Sequence, residues 1–151
     1  MRIAIAAALA LTAASSLYGQ AIADLSTAAP IEGSWTYAAT SDGSEASFTN
    51  ATGNAQLWLH CTRATRRVTI AKPASAAAPS LNVWTSSLTR SLPASFNAAT
   101  ARLSADLGAW DPLLDALATS RARTGFSAGT QAPLVLPAWP EPARVIEDCR
   151  A

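Results

Sequence analysis

Few residues of this chain can do chemistry. His60 is the only histidine, Cys61 and Cys149 are the only cysteines, and ten of the eleven basic residues are arginine. A lone histidine becomes a general base only when it is held between a hydroxyl nucleophile and a carboxylate. No GxSxG sequence accompanies His60, and its alternation with Leu59 and Cys61 makes it a strand histidine beside Trp58 rather than a catalytic base. A zinc site needs several His or Cys ligands, and two cysteines bonded to each other leave too few. No metal and no cofactor is therefore expected. Asp111 and Asp115 stand four apart, a spacing that could serve paired-carboxyl acid–base chemistry on one side of a helix. The same two positions suit the cap and first turn of that helix, where negative charge favours the positive end. An enzyme is thus the less favoured reading, and a cofactor-free hydrolase using this pair is its form.

Arginine gathers in two turns, Arg63, Arg66 and Arg67 in one and Arg121 and Arg123 in the other. Guanidinium forks suit carboxylate and phosphate groups, so either turn could grip an acidic partner or an envelope polymer. The simpler account is a general alanine and arginine richness, with 36 alanines in 151 residues. Trp58 and Trp84 fall on strand faces opposite the aliphatic ones. On neighbouring strands their rings would form a platform for a sugar or a protein; under a covering helix they would be core. Arg144 lies three residues after Glu141 and three and four before Glu147 and Asp148, which allows surface ion pairs on one helix. Eleven basic against ten acidic residues leave +1, no excess with which to hold a polyanion by counterion release, so no nucleic-acid partner is expected.

The amino terminus sets the expected compartment. Arg2, an apolar run from Ile3 to Ala14, a more polar stretch to Gln20 and the small residues of Ala21-Ile22-Ala23 read as a signal peptide over 1–23, cleaved before Asp24. The run is too short to cross roughly 30 Å of hydrocarbon as a helix, so no stable membrane span is expected after cleavage. A periplasmic or secreted chain of residues 24–151 would hold ten basic and ten acidic residues. In an oxidising compartment Cys61 and Cys149 should form one disulfide, a structural staple rather than a redox pair, because no CxxC is present.

These side chains need elements to position them. Asp24–Gly33 reads as a loose leader, and Trp35–Ala38 and Ser47–Thr49 as short strands around a polar turn at 41–45. Leu57, Leu59 and Cys61 alternate on one face of a strand, Val68 and Ile70 on the next, with a turn through Arg63–Arg66. Lys72–Ser80 reads as an exposed connection, Leu81–Thr85 as a strand, and Thr100–Leu107 as a strand in preference to a short helix. Asp111-Pro112 predicts a capped helix with Leu113, Leu114, Leu117 and Ala118 inward, ending near Arg121–Arg123. Two strands follow at Thr124–Ser127 and Pro133–Leu136. A terminal helix then carries Pro142, Val145, Ile146 and Cys149 at i, i+3, i+4 and i+7. The expected fold is α+β and mainly β: a single small, sandwich-like antiparallel domain with one internal and one C-terminal helix, and the Cys61–Cys149 bond pinning the latter across the sheet.

The runs Asp111-Pro112-Leu113-Leu114-Asp115 through Arg123 and Leu134-Val135-Leu136-Pro137-Ala138-Trp139-Pro140-Glu141 through Val145-Ile146-Glu147-Asp148-Cys149-Arg150 resemble a family of uncharacterised exported proteins of alphaproteobacteria. The typical helix end there is Ser-Arg-Gly-Arg followed by Phe; Ala122 stands here for the glycine and Thr124 for the phenylalanine. In layout the chain is also distantly similar to invasion-associated locus B proteins and to periplasmic accessory proteins of type VI secretion. The resemblance implies architecture and compartment and transfers no active site. The expected function is a non-enzymatic binding or accessory role in the cell envelope, toward an envelope protein or polymer, with a structural subunit of an envelope complex as the alternative.

Overall fold

The computed structural model describes residues 22–151; the expected signal peptide lies outside them but for Ile22 and Ala23. The protein is mainly β, with two antiparallel sheets and two helices. The first five strands are β1 (Gly33–Ala39), β2 (Gly43–Asn50), β3 (Ala55–Thr62), β4 (Arg67–Pro73) and β5 (Ser80–Trp84). They are followed by β6 (Thr89–Pro93), β7 (Ser95–Asn97), β8 (Arg102–Gly108), α1 (Pro112–Thr119), β9 (Arg123–Ala128), β10 (Leu134–Pro137) and α2 (Pro140–Arg150). The larger sheet has the order β1-β2-β3-β4-β8-β7 and the smaller β10-β9-β5-β6.

Strict two-residue alternation sets the inner face of the larger sheet. Phe48 on β2, Leu57, Leu59 and Cys61 on β3, Val68 and Ile70 on β4, and Leu103 on β8 are almost wholly removed from solvent. Leu81, Val83, Leu92, Phe126 and Leu136 answer from the smaller sheet, and Leu113, Leu114, Val145 and Ile146 from the helices, in one continuous core. Asp111 caps α1, accepting the Leu113 N–H at 2.9 Å, and Pro112 opens its first turn. Helix α2 lies on the inner face of β1–β4 and buries Pro142, Val145, Ile146 and Cys149. Cys149 is bonded to Cys61, with 5.5 Å between the Cα atoms, and no free cysteine remains.

Several expectations need correction. The leader is not loose: Leu25 is buried against Gly125, Arg123 Nη1 donates to the Ala28 carbonyl, and Ile31 N–H donates to Val135 O at 2.9 Å. A Cβ on Gly125 would stand 2.0 Å from Leu25 Cδ1, so only glycine admits the leader there. The 72–80 segment is not wholly exposed, since Lys72 continues the inward alternation of Val68 and Ile70 and is buried, as is Ala74. Glycine 43 through Glu45 belong to β2 rather than to the turn, and α1 stops at Thr119. Strands β6 and β7 carry too little apolar pattern to have been anticipated; Leu92 is their one buried side chain.

Candidate functional site

One end of the molecule collects the β3–β4 turn, the β8–α1 connection and the last turn of α2. A single 3-10 turn at Arg63–Thr65 joins β3 to β4, and Arg66 closes it in the left-handed region at φ 49. That conformation costs a non-glycine residue about 1 kcal/mol or more. It is held by Arg66 N–H on Arg63 O at 3.2 Å and by Ala109 N–H on Arg66 O at 2.9 Å. The second bond, with the Arg67–Gly108 pairing of β4 and β8, sets Trp110 beside the arginine turn.

Arg150 joins the pieces. Its Nε donates to Ala109 O at 2.8 Å, its Nη2 stands 2.8 Å from Asp115 Oδ1, and its guanidinium lies 5.0 Å from the Trp110 ring centroid. Arg66 Nη1 in turn donates to Arg150 O at 3.3 Å. Trp110 remains 66% exposed, the most exposed large apolar side chain among the described residues. Arg63, Arg66 and Arg67 are exposed, and none pairs with a carboxylate among the described residues. The patch thus offers the guanidiniums of Arg63 and Arg67, that of Arg66 bonded only to the Arg150 carbonyl, and one open indole, donors and a ring suited to an acidic or sugar-bearing surface. The disulfide adjoins it, because Cys149 immediately precedes Arg150 and anchors the last turn of α2.

The other residues singled out from sequence are dispersed. Trp58 is on β3 and Trp84 on β5, in different sheets, so they form no shared platform. Arg102 stacks 3.6 Å over the Trp58 ring on the outer face of the larger sheet, and Trp84 lies near the leader at Gly125. Arg123 is occupied by the leader, which leaves Arg121 alone in the second arginine turn. Asp111 and Asp115 do not act together. Asp111 takes a two-point bond from Arg90 at 2.9 and 2.8 Å, which with the capped Leu113 N–H holds its carboxyl below the ordinary value, whereas Asp115 faces Arg150. Arg144 forms none of its helix ion pairs and lies 3.8 Å over the Tyr37 ring instead.

His60 sits on the outer face with Nε2 3.0 Å from Asp42 and Nδ1 3.4 Å from Glu45, a satisfied strand histidine as expected. Its bond, with that of Thr40, lowers the Asp42 pKa. Sequence reasoning missed Trp110 and Arg150 as members of the arginine site, because only the β4–β8 pairing and the disulfide bring them there. No group of three or more His, Cys, Asp or Glu among the described residues could hold a metal ion. No helix there is long and apolar enough to cross a membrane. No family model, curated protein or solved structure matches the chain.

Proposed function

We propose that this is an exported, disulfide-stapled, non-enzymatic domain that binds an acidic component of the cell envelope through Arg63, Arg66, Arg67 and Trp110. The observation that carries the reading is Arg66. A left-handed residue closing a tight turn is ordinarily glycine or asparagine, and an arginine standing there beside Arg63 and Arg67, neither of which pairs with a carboxylate, favours a role for the guanidiniums. A paired Cys61–Cys149 and the amino-terminal export pattern support an oxidising compartment.

The test is binding of the oxidised protein to immobilised polygalacturonate, with neutral dextran as control. Binding should weaken with salt, and Arg63→Ser/Arg66→Gly/Arg67→Ser should lower affinity roughly tenfold, the sum of three exposed charge contacts. Equal binding by the triple variant, or salt-independent binding, overturns the proposal. Fractionation adds a check on address: the chain should be released with the periplasmic or culture fraction and show no alkylatable thiol before reduction.

A further inference from the structure

Four strands end the two sheets, and three of them are guarded. β7 has three residues; β10 has four, ends at Pro137 and is met by the leader at Val135; β6 carries Arg90 and Pro93. Short strands, charge, proline and covering chain are the means by which edges are kept from pairing. β1 has none of them. It is seven residues long, Gly-Ser-Trp-Thr-Tyr-Ala-Ala, without charge or proline, and Thr36, Ala38 and Ala39 are exposed.

The hydrogen-bond phase of β1 follows from its two ends. Glu32 O accepts from Ala51 N–H at 3.1 Å, and Thr40 and Gly43 exchange bonds at 3.0 and 3.4 Å. Antiparallel pairs alternate between bonded and non-bonded, so Ser34, Thr36 and Ala38 turn their backbone groups toward β2. Trp35, Tyr37 and Ala39 turn theirs to the open side. Trp35 is buried, its Nε1 donating to Pro137 O at 3.0 Å, which leaves the N–H and C=O of Tyr37 and Ala39 as the available edge. No other backbone segment among the described residues bonds to them.

We propose that this edge pairs with the same edge of a second copy, about a two-fold axis through Ala38. Tyr37 of each chain then faces Ala39 of the other, and both available residues on each side exchange N–H and C=O bonds. Beside the edge is a cleft of 490 Å³ between β1 and α2, into which Glu141 and Arg144 project. Glu141 Oε2 is buried without a hydrogen-bond partner, and Arg144 meets only the Tyr37 ring. One unmatched acid and one unmatched base in the same cleft are self-complementary across a two-fold axis, whereas a peptide of single charge would satisfy one and oppose the other. The small, uncharged side chains of Thr36, Ala38 and Ala39 put no bulk or repulsion between the strands. This surface is independent of the arginine patch.

The experiment is sedimentation equilibrium of the full chain, oxidised, from micromolar to millimolar protein. The wild type should form a dimer. Because Ala38 lies on the axis and its side chain is exposed, Ala38→Lys and Ala38→Glu each set like charges directly opposite one another, and each should be monomeric with an unchanged melting temperature. An equimolar mixture of the two should recover the dimer. A monomeric wild type throughout that range, a dimer unaffected by either substitution, or a mixture that stays monomeric overturns the proposal.

Discussion

Replacing both Cys61 and Cys149 by alanine removes the staple. The bond joins residues 88 apart in sequence. Closing a loop of that length removes about 4–5 kcal/mol of conformational freedom from the unfolded chain, at roughly 1.5R ln n plus a constant. For a domain of this size each kcal/mol corresponds to about 3–4 °C in Tm, so the double variant should melt roughly 15 °C lower. Both cysteines are fully buried, and two lost sulfurs in the core act in the same direction. Calorimetry of the variant, and of the wild type with and without reductant, measures the shift. A fall of less than about 5 °C would refute the assignment of stability to unfolded-chain restriction, since it corresponds to little more than 1 kcal/mol.

Other outcomes follow from local geometry. Ala122 has φ 67, so Ala122→Gly should stabilise by about 0.5–1 kcal/mol in denaturant titration, the left-handed strain outweighing the entropy of glycine. Asp111→Asn should cost about 1 kcal/mol at neutral pH, after discount for the partial exposure of Arg90. Because the folded carboxyl titrates below its unfolded value near 3.9, this stability is present above about pH 4 and lost as pH falls through the folded value. The variant should therefore show a shallower acid limb. Burial pushes the Lys72 ammonium down from its ordinary value, and its Nζ donates to Pro73 O and Gln131 Oε1 without a carboxylate. The unfolded chain then holds more protons between the folded and unfolded values, so stability rises with pH across that window, and Lys72→Met should abolish the rise while adding about 1 kcal/mol at pH 7.

The sequence was most legible where one face is dry and the other wet. The alternation of Leu57, Leu59 and Cys61 and the i, i+3, i+4, i+7 spacing of Pro142, Val145, Ile146 and Cys149 are enforced by burial, and together they placed both sulfurs inward. Lys72 obeys the same rule, two residues beyond Ile70, but Pro73, Pro79 and the Ala/Ser run between them read as a connection instead. β6 and β7 were not legible, since a short edge strand with one inward side chain has almost no periodic signal. The leader was hidden for another reason: Leu25 is held by the absence of a side chain at Gly125, a hundred residues away. The arginine turn could be read as a cluster, yet its indole could not. The adjacency of Trp110 depends on which strand β4 chooses as its second neighbour, a choice made by topology.

The two sulfurs also dictate an order of events. Cys149 lies in α2, after every strand of both sheets, and Cys61 on the early central strand β3, so both sheets precede Cys149 in the chain and are synthesised before either thiol has a partner. With only two cysteines there is no wrong pairing to undo and no intermediate bond to steer collapse. The single bond therefore cannot close until the last helix is present, and it ties that helix to the central strand β3.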